Sequence, residues 1–307
     1  MDSNKPILKA VRDGWGEGLI ELGKTNPRVV VLTADLKEST RVEEFGQLFP
    51  DRFIECGVAE QNMMGIAAGL AAGGKIPYVS SYAVFSPGRS WDQLRVSVAY
   101  SNLHVIIGGG HTGLSVGSDG ATHQALEDIA ITRVLPNMRV LVPADYEEAR
   151  QATVAAAGME GPIYIRLARE KTPQIENYEL RSENYDAAII GCGPILNECL
   201  LAARQLHEEG IGVKVINCHT VKPLDKETIL EAAKECGAVV TAEDHQIMGG
   251  MGSAIAELLI THCPLPMEMV GVKDSFGESG TPEELAEKYG LKAKNIIEAV
   301  RKVISRK

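Results

Sequence analysis

Apolar positions along the chain fall into two alternating patterns. Short runs of β-branched and aliphatic residues, such as RVVVLT at 28–33 and LHVII at 103–107, read as buried strands, with others at 76–82, 138–142 and 163–167. Between them, longer stretches repeat an apolar residue every three or four positions and predict helices at 8–22, 59–72, 91–99, 126–133 and 146–158. Single strands alternating with helices predict a mostly parallel sheet covered on both faces. Residues 170–184 break the pattern: they are polar, include Pro173 and show no period, so they read as a linker. Beyond them the same kind of pattern resumes, with strands at 186–191, 213–217, 238–241 and 267–272 and helices at 197–210, 228–236, 252–262, 281–289 and 293–304. The expectation is an α/β protein of two three-layer α/β/α domains, residues 1–170 and 185–307, joined by a linker at 171–184.

The 307 residues are 45% apolar and 23% charged, ample for two cores. A net charge of -10 with no clustered lysines or arginines argues against a nucleic-acid partner. It leaves room for an anionic small substrate, because a few arginines in a cleft act locally. The six cysteines are scattered, with no C-x-x-C pair and no zinc-ligand spacing, so reduced thiols and a cytoplasmic setting are expected. Residues 1–9 carry no apolar leader, and no apolar run reaches membrane-spanning length, so neither a secretion signal nor a membrane partner is expected.

Two glycine runs carry weaker signals. GGGHTG at 108–113 matches G-x-G-x-x-G and reads as a loop opened by the strand at 103–107. The next seven residues, LSVGSDG at 114–120, read as loop rather than helix, which disfavours a dinucleotide site. GGMGS at 249–253 opens a predicted helix, where an anion can bind; a tight turn with close helix packing is the favoured reading.

Four polar patches in the first domain fall at strand ends or a helix start, where open α/β sheets place their ligands. They are DLKES at 35–39, GVAEQN at 57–62, YAVFSPGR at 82–89 and HTGLSVGSDGATHQ at 111–124, with Arg166 and Arg169 near the end of the last strand. Each residue alone has an ordinary reading. Glu60 suits a first-turn carboxylate favoured by the helix dipole, and Tyr82 and Phe85 are spaced like core residues. His123 suits a buried imidazole, and Asp119-Gly120 is a common turn pair. Their co-occurrence in one domain shifts the balance towards a site.

Together these motifs resemble the pyrimidine-binding domain of transketolases. G-V-x-E-Q at 57–61, G-R-x-x-D-Q at 88–93, D-G-x-T-H-Q at 119–124 and GESGTPEELAEKYGL at 277–291 fit that family, in its order and over essentially the whole chain. The resemblance implies thiamine diphosphate as cofactor and transfer of a two-carbon ketol unit from a ketose phosphate to an aldose phosphate. Glu60 then takes the place of the family's catalytic glutamate, which hydrogen-bonds a nitrogen of the cofactor's pyrimidine. Burial lets such a carboxyl exchange a proton near neutral pH. Phe85 is expected to stack on the pyrimidine and Tyr82 to line its pocket, with Asp35 and Leu36 at cofactor-contacting positions. His111 and His123 correspond to histidines that bond substrate oxygens near the reacting carbonyl, and either can relay protons. Asp119 corresponds to the aspartate that recognises the acceptor's C2 hydroxyl. Arg12, Ser39 and Arg169 fill the phosphate grip, which suits arginine's forked bonds; Arg166 lies close enough to compete with Arg169. No metal ligand is assigned to this chain.

Full-length transketolases carry a preceding domain that holds the diphosphate through Mg²⁺, marked by G-D-G and a downstream asparagine pair. No G-D-G occurs here. The resemblance therefore implies an N-terminal transketolase subunit as partner, supplying the diphosphate and Mg²⁺ site within an α2β2 heterotetramer. The small-residue helix at 65–72 suits that interface. The second domain resembles the family's C-terminal domain and is assigned to assembly, with no catalytic residue. The β subunit of a 2-oxoacid dehydrogenase and a subunit for deoxyxylulose-phosphate synthesis are alternatives with a related plan. A non-catalytic paralogue is disfavoured by the joint presence of Glu60, His111, Asp119 and His123.

Overall fold

The computed structural model describes residues 8–175, 182 and 184–307. The first sheet has seven strands, in the order Thr220–Lys222, Arg139–Leu141, Ile163–Leu167, Ile106–Gly110, Ile76–Tyr82, Val29–Thr33 and Phe53–Glu55. All neighbours are parallel except the Thr220–Lys222 edge. Its central strands are buried along their whole length, as a sheet covered on both faces requires. Alternate residues serve two cores: Val29 and Val31 face Trp15, Phe45 and Tyr78, whereas Val30 and Leu32 face Met63, Met64 and Val79.

Helix Val11–Thr25 holds four glycines, a poor composition for a helix by propensity alone. Packing explains them. A Cβ on Gly14 would lie 2.0 Å from the Tyr146 carbonyl oxygen and one on Gly18 2.8 Å from the Thr153 Cβ, so helix Tyr146–Ala156 can lie directly against it. The glycine triplet has the same origin. It lies in strand Ile106–Gly110, later than the strand expected at 103–107, and not in a loop. A Cβ on Gly108 would meet Trp15 at 2.6 Å and one on Gly109 the Tyr164 hydroxyl at 2.3 Å. GGGHTG is thus a packing feature, and no helix opens directly after it.

The second sheet is parallel, ordered Val213–Asn217, Ala187–Cys192, Val239–Gln246 and Met267–Val272. Helices Leu196–Glu208 and Ala293–Ile304 cover one face, and Lys226–Cys236 and Met251–His262 the other. The latter face is continuous with the first domain's core through Leu135, Met138 and Val140. The domains are also joined by the short strand Thr220–Lys222, which the polar HTVKP sequence did not announce. The GGMGS run opens helix Met251–His262, and its anion is internal: the Glu243 carboxylate accepts from the Met251 and Gly252 amides at 2.7 and 2.8 Å.

Other departures are local. Helix Glu43–Leu48 and strands Phe53–Glu55 and Leu8–Ala10 were not expected. The last pairs with Lys171–Pro173, so the expected linker begins as a strand. Its residues 176–181 and 183 lie outside the described residues. All six cysteines are free. No described helix is long and apolar enough to cross a membrane.

Candidate active site

The polar patches converge at the carboxyl ends of the first sheet's strands. Glu60 is the first residue of helix Glu60–Ala72, and its side chain is only 2% exposed. Its Oε2 accepts from Arg89 Nη1 at 3.0 Å. Arg89 in turn lays its guanidinium 4.7 Å from the centre of the Phe85 ring. The approach to Glu60 is fixed by Glu55, whose Oε1 accepts from the backbone N–H of both Asp35 and Gly57. One carboxylate therefore ties the 35–36 turn, with Leu36 half-buried beside it, to the segment leading into Glu60.

Four flat rings form the middle of the site. Tyr82, ending strand Ile76–Tyr82, stacks on His111 with centroids 3.7 Å apart and on Phe85 at 5.9 Å. His123 meets Phe85 and Tyr82 edge-on at 5.5 and 6.0 Å. At the far end Arg12 Nη1 donates to the Ser39 carbonyl at 2.9 Å and lies 3.3 Å from His111 Nε2. Arg169 donates to the Val116 carbonyl at 2.7 Å and sits 3.4 Å from Asp119 Oδ2. The contacts thus run from Glu60 through Arg89, Phe85, Tyr82 and His111 to Arg12 and Ser39.

The backbone is under constraint at the same place. Asp35, Arg41 and His111 have φ of 58°, 64° and 53°, the left-handed region that costs a residue with a side chain. Arg41 is held there by contact with Gly16 and by its Nε bond to Asp13 at 2.7 Å.

Arg12 can only donate, so His111 Nε2 accepts and Nδ1 carries the proton. That Nδ1 is buried without a protein partner, an N–H donor available to a ligand oxygen. Burial, then Arg12 and Arg169, push His111 down to about 3. The ring is therefore neutral at working pH and suited to hydrogen bonding. The unfolded chain binds a proton here below about pH 6.5 and the native chain does not until about pH 3, so stability falls as pH drops through that window. Burial also pushes His245 down to about 4, with the same sign. Glu243, raised by burial to about 7 from 4.5, acts oppositely: it loses stability as pH rises between those values. His111→Asn should therefore shrink the stability difference between about pH 7.5 and about pH 5, measured by urea unfolding. An unchanged difference would show that His111 is not neutral in the native state.

Arg166 does not reach this site. It is buried, with Nε 2.8 Å from Asp128 Oδ2, and its other bonds go to the carbonyls of Ala125 and Asp244. Burial alone would raise Asp128, but Arg166 and His245 hold it below its usual range. Arg169, a third exposed, is the arginine on the ligand side. Three residues escaped the sequence reading. Arg89 stood inside the G-R-x-x-D-Q string without a role, whereas Glu55 and Arg41 gave no local signal. Among the described residues, no group of three or more histidine, cysteine or acidic side chains is placed to hold a metal ion.

An open parallel sheet with a buried carboxylate, a ring wall and an arginine cluster at its carboxyl ends defines an α/β enzyme domain, here joined to a second three-layer domain. Residues 9–174 match the model of the transketolase pyrimidine-binding domain, and residues 176–296 that of the transketolase C-terminal domain. The chain belongs to the transketolase family. It is 44% identical to a 6-deoxy-6-sulfo-D-fructose transketolase subunit of Clostridium sp. (strain MSTE9), over 97% of this chain and 95% of that one. It is 43% identical to a protein of Methanocaldococcus jannaschii described as a transketolase C-terminal section, over 96% and 98%. A solved split-gene transketolase, described as an inactive β4 tetramer, superposes with a TM-score of 0.88 at 46% identity, covering 96% of this chain and 98% of the other.

Proposed function

We propose that this chain is the pyrimidine-binding subunit of a thiamine-diphosphate-dependent transketolase that works with an N-terminal partner subunit. The observation that carries the reading is the polarity of the site: a buried carboxylate at one end of a ring wall and an arginine–histidine cluster at the other. The first end fits an aminopyrimidine, since Phe85 and Tyr82 offer flat surfaces and Glu60 offers an oxygen for a ring nitrogen. When bound, thiamine diphosphate supplies the electron sink for cleaving and forming the carbon–carbon bond. Glu60 holds and exchanges a proton at that ring nitrogen. The His111 Nδ1–H and the nearby His123 orient substrate oxygens, and Asp119 beside Arg169 addresses an acceptor hydroxyl. Arg12 and Arg169 receive the terminal anion with charge-assisted bonds.

A partner would bring the diphosphate site and Mg²⁺, for which the chain has no G-D-G motif. Helix Glu60–Ala72 offers it a surface, because Gly65 and Gly69 are exposed with open space at their Cβ positions. Val96 and Tyr100, the latter 87% exposed, continue that surface on the adjoining turn Leu94–Ala99. An α2β2 assembly in the cytoplasm, where six free thiols persist, suits these features.

The donor is read as a ketose phosphate and the acceptor as an aldose phosphate. A second reading, a sugar ending in a sulfonate, is favoured by the name of the 44% identical clostridial relative. Two arginines accept either anion. The test is a ketol-transfer assay with xylulose 5-phosphate or 6-deoxy-6-sulfofructose as donor, with thiamine diphosphate and Mg²⁺. It is run on this chain alone and with a G-D-G-bearing N-terminal subunit. Activity only in the mixture is expected, and the preferred donor identifies the anion. Activity of the chain alone would overturn the split-subunit reading.

A further inference from the structure

The second domain was expected to serve assembly alone, yet it grips the loop at residues 112–124 from two sides. On the inner side, Asp244 reaches in from the end of strand Val239–Gln246. Its Oδ1 accepts from the Leu114 N–H at 3.0 Å, and the Ser115 N–H bonds the same carboxylate. Gly113, with φ of 72°, makes room for this: a Cβ there would lie 1.9 Å from Asp244 Oδ2. The Gln246 N–H donates to the Leu126 carbonyl at 2.8 Å and Arg166 ties Ala125 to the Asp244 carbonyl, so the loop's far end is fastened to the same strand. On the outer side, the Gln124 amide donates to the Glu278 carbonyl at 3.0 Å. A Cβ on Gly277 would lie 1.8 Å from Gln124 Oε1, and one on Gly120 would lie 2.6 Å from Ser279 Oγ. The glycines of the GESG string are thereby explained by close approach to this loop.

We propose that the second domain sets the position of the loop carrying Asp119 and His123, with Asp244 as a positioning residue for acceptor binding; this rests on the transketolase reading above. Asp244 touches no substrate. It fixes two consecutive backbone amides of the loop, four and five residues before Asp119. A loop freed at that point lets Asp119 and His123 drift, and a displacement of this kind well away from the reacting atoms costs rate through lost alignment. Cofactor binding depends on Glu60, Tyr82 and Phe85, which lie on other elements, and so should be spared.

The test compares Asp244→Ala and Asp244→Asn with the wild type in two measurements. Amide hydrogen exchange of the isolated chain reads the loop without needing activity. Steady-state kinetics of the reconstituted complex read kcat and KM for the acceptor and half-saturation by thiamine diphosphate. Asp244→Ala should exchange faster at residues 113–124 and lose about 10- to 100-fold in acceptor kcat/KM, with half-saturation by the cofactor unchanged. Asp244→Asn, whose side-chain oxygen can accept the same two N–H bonds, should stay near the wild type in both. Loop exchange unchanged by Asp244→Ala would overturn the proposal. So would equal losses towards acceptor and cofactor, or faster exchange throughout the second domain. If every protein is inactive while the loop exchange responds as stated, the positioning role stands and the transketolase reading falls.

Discussion

Glu60→Ala should remove nearly all turnover of the assembled enzyme, about 10²- to 10⁴-fold, the range of a lost general acid–base group. The reason lies in what surrounds the carboxylate. It is the first residue of its helix, almost fully buried, with Arg89 bonded to one oxygen and the ring wall beyond. A group so placed can exchange a proton with a neighbouring heterocycle without competition from bulk water. Glu60→Gln isolates this function from shape, because the amide can still accept from Arg89 but cannot exchange a proton at neutral pH. It should therefore be nearly as inactive as the alanine variant. Neither change should unfold the chain, since Arg89 is half exposed and remains solvated when its partner is lost. The check is kcat in the reconstituted complex beside a thermal melt of each variant. Retention of most activity by either variant, with the fold intact, would remove Glu60 from the mechanism and with it the main support for the pyrimidine site.

The sequence made the parallel sheets legible because their strands are buried on both faces. RVVVLT and IPYVSSY leave no room for another reading. It was mute on Phe53–Glu55 and Thr220–Lys222, three-residue edge strands whose pairing is decided by tertiary neighbours and not by local pattern. The glycine triplet misled for a related reason. Gly108 and Gly109 are required by Trp15 and Tyr164, distant residues that no local motif reveals. In the site, Glu60, Tyr82, Phe85 and the two histidines stood out as a resemblance to a family, and the structure brings them within one run of contacts. Glu55 and Arg41 did not stand out, because their roles consist of holding backbone and each needs a partner far along the chain. The distinction between Arg166 and Arg169 also needed coordinates: three residues apart, they face opposite sides of the strand end, one into an ion pair and one towards the ligand side.

That buried ion pair carries the largest expected effect on stability. Arg166 and Asp128 are each nearly inaccessible, and the Tyr164 hydroxyl also bonds the carboxylate at 2.6 Å. Arg166→Met strands a buried carboxylate, and Asp128→Leu strands a buried guanidinium, so each should cost about 3–5 kcal/mol. The double variant should not cost the sum. With both charges gone, what remains is the loss of donors to the Ala125 and Asp244 carbonyls and a partnerless Tyr164 hydroxyl, roughly 1–3 kcal/mol in total if water or relaxation satisfies part of it. Guanidinium unfolding of the four proteins measures this as a double-mutant cycle, and the shared core predicts one transition for both domains. A strongly favourable coupling energy is the expected result. Additive losses would mean that each group is stabilised by its surroundings and not by the other. The pair would then be a by-product of the interface, and the ties that Arg166 makes between the sheet, the 112–124 loop and the second domain would rest on its two carbonyl bonds alone.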